Sequence, residues 1–490
     1  MKRLNWLLAL VCAGALAAGA QSVKITGGVV DYQVFQRGAD NHADLKLAGT
    51  AEGADGRAAE TRVVLKSKAI KGFNWKAAGK VAGGQWTAEI KGVPTGGPYS
   101  IEVRVGRGVA AVKHVLVGDL WVLGGQSNMQ GYGDLENTEP PNELVNSFDM
   151  ADQWVLAKEP LHVMGSAADR VHWPLNADKQ PERMSGEKLA GFLAKLKKGS
   201  GLGLPFAVEM VRQTGVPVGL VPCAHGGTSM NQWDPALKDK GGDSLYGGTI
   251  RRFGVVGGKV KGMLWYQGES DAGAKAAPLF REKFERMVAA FRQDFGQPDL
   301  PFYYVQIGRF IVKGGEAHWH LVQEMQRQAE QTIPHAGMAS AIDFELDDLI
   351  HVGTPSLKRL GQRLAKLAIR DLFPDIKNGG PYKGGPRPVS ATLQKGEIIR
   401  VAFSGVNGRL RHDGRLAGFT IHDANDEPLS LIYKAQVDPA DASAVLLYFW
   451  SKLPEGATIH YGYGKDPYCN LRDDADMAAP VFGPLSIRRE

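Results

Sequence analysis

The sequence predicts an α/β protein: a layered central domain built on a parallel sheet, with a β domain on either side. Two observations carry this expectation. Between Val115 and about residue 375, five apolar runs alternate with stretches of helical periodicity. Outside that region the apolar period is two, and turn glycines are frequent. Gly accounts for 62 of 490 residues, which points to many turns. At 43% hydrophobic and 22% charged the composition is ordinary for globular chains, and the length suits about three domains.

The first twenty residues stand apart. Lys2 and Arg3 precede an apolar run from Leu4 to Ala17, and Ala18-Gly19-Ala20 supplies small residues. That order predicts a signal peptide cleaved after Ala20, and so a secreted or periplasmic protein. A membrane anchor is the alternative, but the run is shorter than the roughly 20 residues a spanning helix needs. Losing Lys2 and Arg3 lowers the net charge from +6 to +4. With no dense basic run, nucleic acid is excluded as an expected partner, and no membrane contact is expected after leader removal. Of the cysteines, Cys12 lies in the leader. Cys223 and Cys469 could pair in an oxidising compartment or stand as separate thiols. No CxxC pair or HExxH helix is present, so no metal is expected. His318 and His320 would share a face on a strand but not on the helix predicted there, which favours packing or surface placement.

Residues 21–114 are expected to form the N-terminal β domain. Ile101, Val103 and Val105 alternate with Glu102 and Arg104, and Leu45 and Leu47 with Asp44 and Lys46. Residues 115–375 form the expected central domain. Its apolar runs are Leu116–Leu123, Val216–Val221, Met263–Tyr266, Phe302–Ile307 and Met338–Ile342, which suit strands buried on both faces. Phe280, Phe284, Met287, Val288, Phe291 and Phe295 mark one helix, and Leu357, Leu360, Leu364 and Leu367 another. Gly379-Gly380-Pro381 and Gly384-Gly385-Pro386 read as a linker, and residues 376–490 as a second β domain.

Four polar clusters fall at predicted strand ends or helix starts. Gly124-Gly125-Gln126-Ser127-Asn128-Met129 follows the first buried strand, where ligands bind in open parallel sheets. Asp347-Asp348-Leu349-Ile350-His351 offers an imidazole with a nearby acid, the pairing that makes a general base. Either aspartate can serve as that acid. Ala224-His225-Gly226-Gly227-Thr228 lets backbone N–H groups approach a substrate. Trp265-Tyr266-Gln267-Gly268-Glu269-Ser270-Asp271 contains an amide able to donate to an oxyanion. Singly, each cluster reads as a turn, a cap or a solvated loop. Together they open onto one edge of the sheet.

These blocks resemble the sialate O-acetylesterase family of the SGNH hydrolase class. The likeness runs from Val115–Trp121 into Gly125–Met129. It continues through Gly226-Gly227-Thr228 with Trp233 and Trp265–Ser270 to Asp348 and His351. It extends to Val34-Phe35-Gln36-Arg37 and Gly96–Tyr99 in the N-terminal part. Near the C-terminus it includes Tyr461-Gly462-Tyr463, Asp466-Pro467, Asn470-Leu471 and Pro480–Phe482. The resemblance implies an SGNH-type, flavodoxin-like three-layer central domain that removes O-acetyl groups from carbohydrates without a cofactor. It implies Ser127 as nucleophile, His351 as base and Asp348 as acid. The implied oxyanion donors are the Ser127 backbone, Gly226 or Gly227, and the Gln267 side chain. Val352 departs from the family, which often has Pro there, and residues 136–200 fit its pattern poorly. Two other readings are weaker. An α/β-hydrolase would need a G-x-S-x-G elbow, which is absent. A non-catalytic carbohydrate-binding protein would not need the complete set of reactive residues.

Overall fold

The computed structural model describes residues 22–376, 382–395 and 397–489. The expected leader and the Gly379-Gly380-Pro381 part of the linker lie outside the described residues. The chain forms two compact units: residues up to Val30 with Asp44–Val93 and Tyr99–Lys113, and Asp31–Ala43 with Pro94–Pro98 and His114–Glu490.

The first unit is antiparallel β. Ala58–Leu65 pairs with Lys76–Ala82 and with Gly96–Val105. Ile101, Val103 and Val105 are buried, in step with the period-two pattern. The Val34–Arg37 segment falls in the second unit. Val34–Gln36 runs parallel to the strand ending at Gly125, and Arg37 makes two 2.8 Å bonds to Asp119.

The second unit is organised by β1 (Gly108–Gly125), whose residues from His114 onward belong to it. Then follow α1 (Ser127–Gln130), β2 (Val145–Phe148), α2 (Gly203–Thr214), β3 (Val218–Pro222) and α3 (Leu245–Val255). After these come β4 (Gly262–Tyr266), α4 (Phe280–Asp294), β5 (Phe302–Gln306), α5 (Glu316–Thr332), β6 (Ala336–Ser340) and α6 (Thr354–Leu372). The strands are parallel in the order β2-β3-β1-β4-β5-β6. Each of the five apolar runs becomes a strand because a side chain on either face meets a helix. Phe206 of α2 packs edge-on to Trp121 at 4.8 Å. Gly361 lets α6 lie against α2, since a β-carbon there would meet the Phe206 nitrogen at 2.7 Å. On the other face Phe284 of α4 packs on Phe302 and Tyr304, and the Tyr304 hydroxyl donates to Gln326 of α5. Burying each such side chain contributes roughly 1.5–3 kcal/mol.

The sixth strand, β2, was not among the expected runs. It is short, and two of its four residues are polar: Asn146 and Ser147. Asn146 is buried because its amide donates to the carbonyls of Tyr32 and His114. The chain beyond β2 is pinned by charge. Arg251 pairs with Asp152 and Asp169, while Arg252, fully buried, donates to Asp152 and to the carbonyls of Phe148 and Asp149.

The C-terminal part is an eight-stranded sheet that includes β7 (Phe419–His422) and β8 (Thr458–Tyr461). It is joined to the parallel sheet by reciprocal bonds between the Gln306 side chain and the Val481 backbone, of 2.9 and 2.8 Å. Arg363, also buried, bridges Asp343 and Asp476. Cys223 and Cys469 are separate buried thiols in different cores. Among the described residues no helix is long and apolar enough to cross a membrane.

Removing Arg252 takes one donor from each of the Phe148 and Asp149 carbonyls and leaves Asp152 paired with Arg251 alone. Arg252→Ala is expected to cost about 3 kcal/mol of stability, read from the urea midpoint. An unchanged midpoint would show that water replaces the guanidinium without penalty.

Candidate active site

The site starts from a close approach of backbones. At the end of β1, Gly125 has φ of +130°, and a β-carbon on it would meet the Tyr266 carbonyl oxygen of β4 at 2.2 Å. Only glycine fits there. The Gln126 N–H donates to that same carbonyl at 2.8 Å, and the Gly125 carbonyl accepts from His225 at 3.0 Å. The strand is therefore held on both sides up to its last residue. The chain then turns into α1, and Ser127 sits at its first position, 8% exposed.

Asn128 links this corner to the histidine loop. Its Oδ1 accepts from the Val352 N–H at 3.0 Å, and its Nδ2 donates to the Ile350 carbonyl at 3.3 Å. One buried side chain thus grips the residues on both sides of His351. The loop is closed on itself by Asp347 N–H donating to the His351 carbonyl and Gly353 N–H to that of Glu345.

Within the loop the two aspartates part. Both oxygens of Asp348 face His351 Nδ1, at 3.0 and 2.8 Å. Asp347 turns away and accepts from the Asp134 N–H at 2.9 Å. Burial alone would raise the Asp348 carboxyl. The N–H groups of Ile350 and His351 and the His351 ring outweigh it and hold the group below the usual carboxylate range. With Nδ1 occupied by Asp348, Nε2 is the ring nitrogen left for other chemistry. Tyr132 stacks on the ring at 4.3 Å and limits its rotation.

Gly226 lies beside Ser127: a β-carbon on it would stand 3.3 Å from the Ser127 β-carbon. Its N–H donates to Gln130 Oε1 at 2.7 Å. Gly227, with φ of +71°, is exposed at the turn. Gln267 is fully buried. Its Nε2 donates to the Thr228 carbonyl at 3.1 Å and to Asp271 Oδ2, so it fastens the loop after Gly227 from behind. Asp271 in turn accepts from the Met230 N–H at 2.8 Å.

Two histidines that carried no sequence signal, and Glu269, whose block was marked but whose own part was not, complete the surroundings. His172 Nδ1 lies 3.1 Å from His225 Nδ1, and the two rings stack. His162 accepts from the Ala224 N–H at 3.3 Å. Both come from the stretch between 136 and 200 and buttress the Ala224–Gly226 turn. Glu269 accepts from Asn128 Nδ2 at 2.8 Å, and burial raises its carboxyl to about 7 despite that bond.

A serine at the end of a parallel strand, joined through its neighbour to a histidine–aspartate pair, is an arrangement suited to ester hydrolysis. A family model described as carbohydrate esterase, sialic acid-specific acetylesterase, matches residues 117–370, just over half of the chain, and the chain belongs to that family. It is accordingly a carboxylic ester hydrolase. A probable carbohydrate esterase of Arabidopsis thaliana is 27% identical over 253 residues, covering 50% of this chain and 88% of the relative. The sialate O-acetylesterase of Homo sapiens is 23% identical over 293 residues, covering 53% of this chain and 54% of that protein. The chain therefore spans about half the length of that curated relative. The crystal structure of a carbohydrate acetylesterase from Xanthomonas citri matches in fold. The TM-score is 0.62 over 94% of this chain and 99% of that one, at 24% identity.

Asn128→Ala would free both flanks of His351. Hydrolysis of a chromogenic acetyl ester is expected to fall about 100-fold in kcat/KM, the scale of an ångström-sized misplacement. Wild-type turnover in the folded variant would show that the loop holds itself. Glu269 gives a pH signature. Its folded value lies above the ordinary 4.5, so its contribution to stability is present below about 4.5 and lost as pH rises through about 7. Thermal melts should show a drop from about pH 4.5 to 7 that is smaller in Glu269→Gln. The same drop in both proteins would assign it to other groups.

Proposed function

We propose that this protein is a secreted serine esterase that removes O-acetyl groups from carbohydrates through an acyl-serine intermediate, on an SGNH-type three-layer domain. The observation that carries the reading is the Asn128 bridge, which ties the Asp348–His351 pair to the residue next to Ser127. Ser127 attacks the acetyl carbonyl carbon, and its hydroxyl proton passes to His351 Nε2. Asp348 stabilises the imidazolium that forms. The charge on the carbonyl oxygen is met by the N–H of Ser127 and that of Gly226, with the carbonyl oxygen displacing Gln130 Oε1 from Gly226. Gly227 is the alternative glycine donor. The proton returns from His351 to the leaving sugar oxygen as the tetrahedral carbon collapses. A water deprotonated by His351 then releases acetate and restores Ser127.

The substrate class follows from the family and from the relatives' names. Acetylated sialic acid and acetylated plant or microbial glycans are the candidates. Residues 136–200 are the proposed source of selectivity, because His162 and His172 brace the turn that carries Gly226.

A panel of acetylated glycans with acetate detection tests the reading. Release from at least one glycan by the purified chain is expected, with none from folded Ser127→Ala. Undiminished release by that variant would overturn the proposal. Gln267 is proposed as a positioning residue. Gln267→Ala should lower the melting temperature and kcat together. A kcat loss of about 100-fold or more at an unchanged melting temperature would make it an oxyanion donor instead.

A further inference from the structure

A second cluster of reactive side chains lies in the C-terminal sheet, and the esterase chemistry does not use it. β7 and β8 pair antiparallel, with Thr420 opposite His460 and His422 opposite Thr458. Directly opposed residues share a face, so the two histidines are diagonal neighbours on one side of the sheet. Their rings stack with centroids 3.8 Å apart, and neither side chain reaches solvent. The turn after β7 is tightened by Asp423, which accepts from the N–H groups of Asn425 and Glu427. That turn folds Asp426 back over the rings. Asp426 Oδ1 stands 3.0 Å from His422 Nδ1 and 3.0 Å from His460 Nε2. The three ligand atoms lie within 4.8 Å of one another.

More donors surround them. His320 of α5 is buried, with its ring 5.3 Å from that of His460, and Tyr463 packs against all three imidazoles. Two nitrogens in this cluster, His320 Nδ1 and His460 Nδ1, are buried without a hydrogen-bond partner. Thr420 Oγ1 lies 3.1 Å from His422 Nε2. His422 Nδ1 also lies 3.0 Å from the Asp426 carbonyl oxygen, so Nδ1 carries the ring proton toward these two oxygens, and an ion bound there displaces it, with Thr420 Oγ1 able to accept the proton at Nε2.

We propose that His422, Asp426 and His460 bind one divalent ion of the zinc class, with His320 beside the fourth position, so that the ion ties the C-terminal sheet to α5. Two imidazoles and a carboxylate suit zinc, whereas calcium and magnesium take oxygen donors. Bonds of about 2.0–2.1 Å place tetrahedral donors roughly 3.3 Å apart, so the two Asp426–histidine distances of 3.0 Å open by a few tenths of an ångström on binding. Asp426 is half-exposed and gives the ion a way in. The role is structural and leaves the chemistry at Ser127 without a metal. His422-x₃-Asp426 lies across a β-turn and His460 on a separate strand, so no contiguous motif announces the site.

The full chain, stripped with EDTA and reloaded with Zn²⁺, provides the test. Metal analysis after gel filtration should find one zinc ion per chain in the wild type and none in His422→Ala or His460→Ala. Zinc should raise the melting temperature of the wild type alone. Asp426→Asn, a change at a half-exposed position that keeps the fold, should bind zinc about 10-fold more weakly or worse. Failure of the wild type to retain zinc, or an unchanged affinity in Asp426→Asn, would overturn the proposal. Zinc content does not depend on acetate release, so this result and the esterase result are read separately.

Discussion

The active-site region depends on one buried amide. Asn128 is enclosed, and a buried side-chain amide must find partners for both its carbonyl and its NH₂. It finds them in the backbone of Ile350 and Val352 and in the Glu269 carboxylate. The loop carrying His351 therefore satisfies Asn128 and is positioned by it. Leu346 and Val352 form a short antiparallel bridge, so the loop is a closed turn with Asp348 near its tip. Displacing His351 would break its own loop bonds and those of Asn128.

This constraint works because the sheet delivers its parts to one edge. Parallel strands all point their C-terminal ends the same way. β1, β3 and β4 are adjacent and in register, so Ser127, Gly226 and Gln267 leave the sheet side by side. Glycine at 125 lets the backbones meet without a side chain between them. The loop after β3 is then held from three directions: by Gln130 on Gly226, by Gln267 on Thr228 and by His172 on His225. Three side chains from separate parts of the chain thus position the loop.

The sequence revealed those features that depend on periodicity or local chemistry. Five buried strands showed as apolar runs, and the phenylalanines of α4 showed their face. β2 did not, because Asn146 is buried by hydrogen bonds to backbone far away in the chain, which no local pattern records. The choice between Asp347 and Asp348 was open for a similar reason. It depends on which carboxylate Asp134 occupies, more than two hundred residues away. Gln267 was legible as part of its block, but its bond to Asp271, four residues on within the same block, was not. The His422–Asp426–His460 cluster depends on the register of two strands and a turn, and spacing alone could not reveal it.

The central claim is that Ser127 is activated by His351 across the Asn128 bridge. Mass spectrometry of the intact protein after exposure to an organophosphonate ester tests it most directly, because only an activated serine is phosphonylated at a useful rate. The account predicts a single adduct, mapped to Ser127 by peptide analysis and lost in His351→Ala. An adduct on another residue, or equal labelling of Ser127 without His351, would contradict it.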